Sequence, residues 1–402
     1  MSGIDRRGVL RLLGAASAGF VTGAGTAACG PVQSGPEPEP LYDNHVRIGL
    51  LLPTSGGYEE IGQEIANGFR RFLTANGNRL GGHPYVLHYA DEGETEEDAL
   101  AGLESLVEQR VDAIIGVVTA TAMLAVGPAV EEMHIPLVGA NASPVELPDL
   151  TYVWRTSYRN DEPGLALGGY LASEVNGPVA IVAPRDASGA EMVAGLRAAL
   201  SDIGADDQLA EPILTAAESQ PDSAFFAGAL DRVAELEPAA VVAPYAGAAA
   251  VAFIRQYLDA GFAARRLFGP ADLTEGSVLD ELGSNAVGIR TSANYAPELT
   301  GASNRSFAVA YRGEFARVPT TYAVAGHDAG AALDRAIRLT GGTPGSLQIN
   351  RALDEIGLID SPRGPWQFNQ HHTPTQKWYL REVADDGPVL ANVVVSELGT
   401  FG

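Results

Sequence analysis

The sequence predicts an α/β fold of two doubly wound, Rossmann-like lobes, and three observations carry that expectation. Short apolar runs closed by turn residues alternate with helical stretches from residue 46 onward. The same alternation restarts near residue 179. A chain of 402 residues, 46% hydrophobic, also exceeds what one small core requires. A repeated strand-helix order implies parallel sheets, and two rounds of it imply two lobes.

Each element follows from its residues. Val46–Leu52 is an apolar run ended by Pro53 and two glycines, hence a buried strand. A helix follows from Gly62 to Ala75, then a Gly81-Gly82 turn and a strand at Tyr85–Ala90. Thr95–Glu108 is an amphipathic helix whose Thr95 cap is answered three residues later by Asp98. Ala113–Gly116 is a strand, Ala122–Met133 a helix and Ile135–Val138 a strand. The second round has strands at Val179–Val182, Ala239–Val242, Leu267–Phe268 and Val287–Arg290. Its helices are Glu191–Leu200, Ala224–Glu235 and Val251–Ala260. Two further helices, Arg305–Phe315 and Ala325–Thr340, precede late strands at Trp378–Val383 and Val393–Leu398. Ligands of open α/β sheets sit beyond the carboxyl ends of the strands, where helix starts expose N–H groups. The loops just after each strand are therefore the candidates for a site.

The first 44 residues have a different character. Arg6-Arg7-Gly8-Val9-Leu10-Arg11 is a twin-arginine pair with an apolar step, and residues 12–28 are mildly apolar and rich in Ala and Gly. That run is too short and weak for a membrane span, which needs about 20 strongly apolar residues. Residues 1–28 thus form an export signal. Thr26-Ala27-Ala28-Cys29 resembles the lipobox of bacterial lipoproteins, with Thr26 where Leu is usual, so Cys29 becomes the lipidated N-terminus. Cys29 is the sole cysteine, which also excludes an internal disulfide. Residues 29–44, with Pro31, Pro36, Pro38 and Pro40, form an extended tether to a body that begins near His45. Export to the outer face of the cytoplasmic membrane follows, held by the lipid alone.

Composition narrows the function. A net charge of −24 opposes nucleic acid and anionic membrane surfaces as partners of the body. Lys377 is the only lysine, so Schiff-base and P-loop chemistry have no residue to use. G-x-G-x-x-G after a strand, G-x-S-x-G and H-E-x-x-H are absent. His371-His372 and His327 suggest metal ligands, but neighbouring side chains point apart, and a polar turn flanked by Pro374 reads as surface. No cofactor and no metal are expected.

Several motifs carry a resemblance. Ile48–Pro53 with Ser55-Gly56 and Gly62, Gly81-Gly82-His83-Pro84 with Tyr89-Ala90-Asp91, and Val111–Gly116 stand in order. Trp154-Arg155-Thr156, Asp328-Ala329 and Gly364-Pro365-Trp366-Gln367-Phe368 follow. Together they resemble the branched-chain amino-acid (Leu/Ile/Val) binding proteins, type I periplasmic substrate-binding proteins of ABC transporters, over nearly all of residues 45–402. The resemblance implies two lobes joined by three crossover strands, near Arg159, Asn294 and Gln367. It divides the chain into a first lobe of residues 45–159 with 294–367 and a second of 160–293 with 368–402.

It further implies a non-enzymatic function: capture of an amino acid, short amide or small carboxylic acid, and delivery, as a monomer, to the membrane permease of an ABC transporter. The ligand's carboxylate would meet Thr119, Ala120 and Thr121 and the Asn141-Ala142-Ser143 loop. Ala120 stands where the family has a serine, so its N–H remains and the hydroxyl is gone. An ammonium would meet Asp272, the acid nearest the family's position, which an ungapped alignment gives to Ala271. Tyr58, Tyr245 and Tyr295 supply aromatic walls, Ser188 replaces an aromatic, and Tyr158 with Asn160 lies beside the first crossing. Thr121 equally suits a helix cap, Asp272 an exposed turn, and the tyrosines a core. An extracellular sensor of the same fold is the alternative function, and an enzyme on a doubly wound fold the minor one.

Overall fold

Val46–Leu52 (β1) forms where the sequence is most apolar and stops at Pro53, which has no N–H to extend a ladder. The computed structural model describes residues 44–402 except residues 142, 148, 149, 343 and 388. The export signal, Cys29 and the tether up to residue 43 lie outside the described residues. From β1 the chain runs through helix Glu59–Ala75 (α1), strand Tyr85–Asp91 (β2), helix Glu96–Glu108 (α2) and strand Ala113–Gly116 (β3). Helix Ala120–Met133 (α3) and strands Leu137–Gly139 (β4) and Val153–Arg155 (β5) follow. These strands make one parallel sheet in the order β2-β1-β3-β4-β5. The Thr95 cap is realised: its hydroxyl accepts the Asp98 N–H at 3.1 Å.

The second sheet begins after helix Glu162–Glu174 (α4), with strand Val179–Pro184 (β6), helix Ala187–Asp202 (α5) and strand Ile213–Thr215 (β7). It continues with helix Ala227–Leu236 (α6), strand Ala240–Val242 (β8), helix Gly247–Asp259 (α7) and strand Leu267–Pro270 (β9). Helix Ser277–Leu282 (α8) and strand Arg290–Ala293 (β10) come next. Helices Ala302–Phe315 (α9), Thr321–Leu339 (α10) and Ser346–Leu353 (α11) precede strands Gln367–Phe368 (β11), Pro374–Asp386 (β12) and Val389–Phe401 (β13). The sheet order is β11-β12-β10-β9-β8-β6-β7, with β13 paired to β12. Both late strands therefore join the second sheet as a long antiparallel hairpin.

Each sheet is covered on both faces, as parallel strands require. One face of the first packs Val46, Ile48 and Leu50 against Phe69 of α1, Leu333 and Ile337 of α10, and Ile349 of α11. The other packs Leu51 and Ile114 against Leu103, Leu106 and Met123. Helices α1 and α10 touch backbone to backbone. A Cβ on Gly68 would lie 1.8 Å from the Ala323 carbonyl oxygen, and one on Gly326 2.1 Å from that of Ile65. Strand β10 starts three residues later than the sequence suggests, at Arg290, and includes the buried polar residues Thr291 and Ser292. Helix α4 and strand β7 are not foreseen at all.

The chain passes between the two layers after Arg155, after Ala293, and between Ile359 and Gln367. These passages meet at Arg363. Its guanidinium donates to the Thr156 carbonyl at 2.7 Å and to Gln376 Oε1 at 2.6 Å, and pairs with Asp328 Oδ2 at 2.9 Å. Gln376 Oε1 also accepts the Asn294 amide at 2.9 Å. Trp366 Nε1 and the Ser361 hydroxyl donate to Asp328 as well, each at 2.9 Å.

Among the described residues no helix is long and apolar enough to cross a membrane. His371 is exposed as expected. His372 is instead half-buried, stacked on Trp154 with ring centroids 3.7 Å apart.

Candidate functional site

Loops at the carboxyl ends of both sets of parallel strands converge on one cavity of about 360 Å³. Tyr58, Thr119, Ala120, Thr121 and Asn141 line it from the first sheet's side, and Ser188, Tyr245 and Asp272 from the second's. Tyr158 and Asn160 line it from the segment that joins β5 to α4. This is the crevice that open α/β sheets are expected to form.

The wall at α3 is a source of hydrogen-bond donors. Thr119 is the N-cap of α3, and its hydroxyl accepts the Ala122 N–H at 3.1 Å. The cap is thus Thr119, and Thr121 sits one residue inside the helix, exposed. The Thr119 hydroxyl donates to Glu92 Oε1 at 2.9 Å, while the N–H groups of Val118 and Thr119 also go to the Glu92 carboxylate. The N–H groups of Ala120 and Thr121, first and second in the helix, have no partner among the described residues and face the cavity end of the helix dipole. Glu92 also steadies a tight turn, since Val117 just before it has φ 65°, a region that β-branched residues rarely adopt.

The opposite wall is a set of acceptors. Asp272 accepts the Tyr322 hydroxyl at 2.9 Å and the Tyr158 hydroxyl at 3.2 Å. It keeps part of its surface on the cavity but is enclosed elsewhere, and burial pushes its carboxyl up to about 6 against the pull of the two tyrosines. Asn160 donates its amide to Glu191 at 2.8 Å, while its buried Oδ1 has no partner. Asn141 is committed to the Val118 carbonyl at 2.8 Å, so it braces the donor wall. Tyr245 is both core and cavity: it packs on Phe226 and Phe253, and its hydroxyl meets Thr215 at 3.0 Å. Burial holds the Tyr58 hydroxyl up at about 12, so it is a neutral donor at any working pH.

Two expected residues do not reach the cavity. Ser143 is fully buried behind it, its backbone bridged to Arg159, because the loop after β4 turns back to pair with the crossing segment. Tyr295 is fully buried against Phe307 and Tyr311, with its hydroxyl on Asn304 Oδ1 at 2.9 Å. It packs there with Ala323 and Val324 of α10, so it belongs to a core. Ser188 lines the cavity with its hydroxyl held by Asp186 at 2.8 Å.

Three acids of the wall escape the sequence argument: Asp186, Glu94 and Glu218. Asp186 follows β6 by two residues and caps α5, so the rule that singles out post-strand loops would have found it. Glu94 and Glu218 sit exposed at the mouth, where Glu94 accepts the Ser219 hydroxyl at 3.2 Å and the Gly57 N–H at 3.2 Å. Among the described residues lining the cavity there is no Arg, Lys or His.

Comparison with known proteins gives the same architecture. A family model described as periplasmic binding protein matches residues 45–388. The "Leu/Ile/Val-binding protein homolog 6" of Brucella melitensis is 25% identical over 358 residues, 86% of this chain and 90% of that protein. A solute binding protein of an ABC transporter from R. palustris, solved in complex with benzoate, is 29% identical with a TM-score of 0.79. The match covers 89% of this chain and 97% of that one. The branched-chain amino acid transporter substrate binding protein of Streptococcus pneumoniae, solved with isoleucine, shares the fold at 18% identity and a TM-score of 0.74, over 88% of this chain and 99% of that one.

Proposed function

This chain belongs to the periplasmic binding protein family, and from that premise we propose that it is the exported solute-binding lipoprotein of an ABC importer. Its ligand is a small monocarboxylate with a hydrogen-bond donor at the other end, an α-amino acid or a substituted aromatic acid. One observation carries the reading: partnerless N–H groups of Ala120 and Thr121 stand at one wall of the cavity and the Asp272 carboxylate at another. Donors at a helix start suit a carboxylate, and a half-enclosed carboxylate suits a donor. The relatives' ligands, benzoate and isoleucine, both fit this description at their carboxylate end. Delivery to a membrane permease, as a monomer, follows from the same family.

Thermal unfolding with a panel of branched-chain amino acids, benzoates and short amides tests the ligand class. A true ligand at 100 times its Kd adds about 2.7 kcal/mol of stability. The absence of any shift from every monocarboxylate would sink the reading. Asp272→Asn then separates the two kinds. Affinity should fall at least tenfold for an ammonium ligand and less than about threefold for an aromatic acid, because a lost charged partner costs more than a neutral one.

Lipidation at Cys29 is tested by the intact mass of protein extracted from membranes. Loss of the first 28 residues with added acyl mass is expected, and Cys29→Ser should release the protein or leave its precursor uncleaved. A full-length unmodified protein would count against the anchor.

A further inference from the structure

Behind the donor wall lies an acid that the ligand contacts above do not use. Glu92 directly follows β2, is fully buried, and accepts three hydrogen bonds from one stretch of chain. Val118 N–H reaches Oε2 at 2.7 Å, and the Thr119 N–H and hydroxyl reach Oε1 at 2.8 and 2.9 Å. The next two N–H groups along the chain are those left for the ligand. A bound carboxylate and the Glu92 carboxylate therefore share one helix start, within about 5 Å, the length of one turn.

Among the described residues no cation is bonded to Glu92 to offset this pairing of anions. The charged groups around Glu92 are Asp91 of β2, held by the Thr54 and Gly93 N–H groups, Glu94 at the mouth, and Asp98 at the start of α2, bonded to Thr95. From β1 the Leu52 carbonyl takes the Glu92 N–H at 3.1 Å, and from the loop after β4 the Asn141 amide holds Val118. Across the cavity stand Asp186, Glu218 and Asp272.

We propose that Glu92 is a specificity-determining residue that couples capture of a carboxylate to uptake of one proton. The inference rests on the ligand placement proposed above. In the ionised state Glu92 occupies the Thr119 hydroxyl as an acceptor. A proton taken from solvent onto Oε1 reverses that bond: Oε1–H donates to Thr119 Oγ1, which still caps Ala122. The Thr119 hydroxyl hydrogen is thereby freed to turn into the cavity, a third donor beside Ala120 and Thr121. One proton thus removes a repelling charge and adds a donor.

Burial already pushes Glu92 up to about 7 despite its three donors, and a bound anion pushes it further. The protonated form is the one that binds, so affinity rises as pH falls through that range. Asp272, pushed up to about 6, titrates in the adjoining range, so Asp272→Asn is needed to separate its protonation from that of Glu92. A neutral amide ligand has no charge to repel, so its slope is smaller and comes from the added donor alone.

The test is calorimetric titration of benzoate, 4-hydroxybenzoate and isoleucine, with benzamide as the neutral control, at pH 6.5 and 8.5 in two buffers of different ionisation heat. Carboxylates should bind about tenfold more tightly at pH 6.5 and take up part of a proton, a one-unit shift being tenfold. Benzamide, which gains the donor but has no charge to repel, should change less than about threefold. Glu92→Gln imitates the protonated carboxyl, so it should bind carboxylates at pH 8.5 as tightly as the unaltered protein does at 6.5. Equal weakening at both pH values would mean that Glu92 is merely structural. If Glu92→Gln fails to fold, proton uptake in Asp272→Asn decides: retained uptake supports Glu92, and lost uptake assigns the linkage to Asp272 and overturns the proposal. Carboxylates that bind without any slope overturn it alone, whereas no binding by any of these compounds brings down the ligand reading with it.

Discussion

Arg363→Ala should lower the free energy of unfolding by about 3–5 kcal/mol, the cost of leaving one partner of a buried ion pair alone. The guanidinium is 5% exposed, and its removal strands Asp328, which is 0% exposed. The Trp366 and Ser361 donors and the His327 ring remain on Asp328, but the guanidinium does not. The carbonyl of Thr156 loses a donor at the same time. Urea unfolding measures the loss directly, and a change below about 1 kcal/mol would mean the network relaxes around the gap. Adding Asp328→Asn to an Arg363→Met background should return much of the stability, because the uncompensated charge is then gone. Since Arg363 lies in one passage between the layers, bonds to a second at Thr156 and reaches the third through Gln376, the single variant should also loosen ligand binding.

The second large effect comes from a substitution that the fold tolerates. Ala120→Pro should weaken binding of a carboxylate ligand about ten- to a hundredfold, by deleting one donor to a charged group worth roughly 1.5–3 kcal/mol. Ala120 is the first residue of α3, where proline is favoured because that N–H has no helical partner. Thr119 before it has φ −95° and ψ 148°, the extended conformation that a following proline requires. Unfolding curves should therefore nearly coincide with those of the unaltered protein while titration heats shrink. Undiminished affinity in Ala120→Pro would put the anionic end of the ligand somewhere other than the start of α3.

What the sequence disclosed depended on how locally each element is determined. Strands β1 and β3 are legible because burial on both faces demands unbroken apolar runs, and α2 because Thr95 and Asp98 are three residues apart. Helix α4 was hidden by Pro163, Gly164, Gly168 and Gly169, which look like loop residues. The reason for two of these glycines is tertiary: a Cβ on Gly164 would lie 2.6 Å from the Met192 carbonyl, and one on Gly168 2.4 Å from the Ala199 side chain. Strand β10 was displaced because Thr291 and Ser292 are polar yet buried; Ser292 finds its partner in the Pro163 carbonyl, 129 residues away. The cavity followed the same division. Post-strand loops marked where a site would lie, and the family resemblance picked out Thr119, Ala120, Thr121, Asn141 and Asp272 within them, along with Ser143, which the fold buries. Tyr295 went astray because an aromatic in a loop does not say which side it faces. Glu92 was missed because its role depends on a loop 26 residues away.

The cover of the first sheet has a consequence for how the protein is made. Its strands are complete by Arg155, yet Leu333, Ile337 and Ile349, which close one face over Val46, Ile48 and Leu50, are translated far later. At about 5–20 residues per second, roughly 10–40 s separate the last strand from the end of α11. Through that interval a nascent chain displays a sheet face guarded by α1 alone. Ribosome-bound intermediates of this length are therefore where chaperones have the most apolar surface to hold, and where premature termination would leave the stickiest fragments.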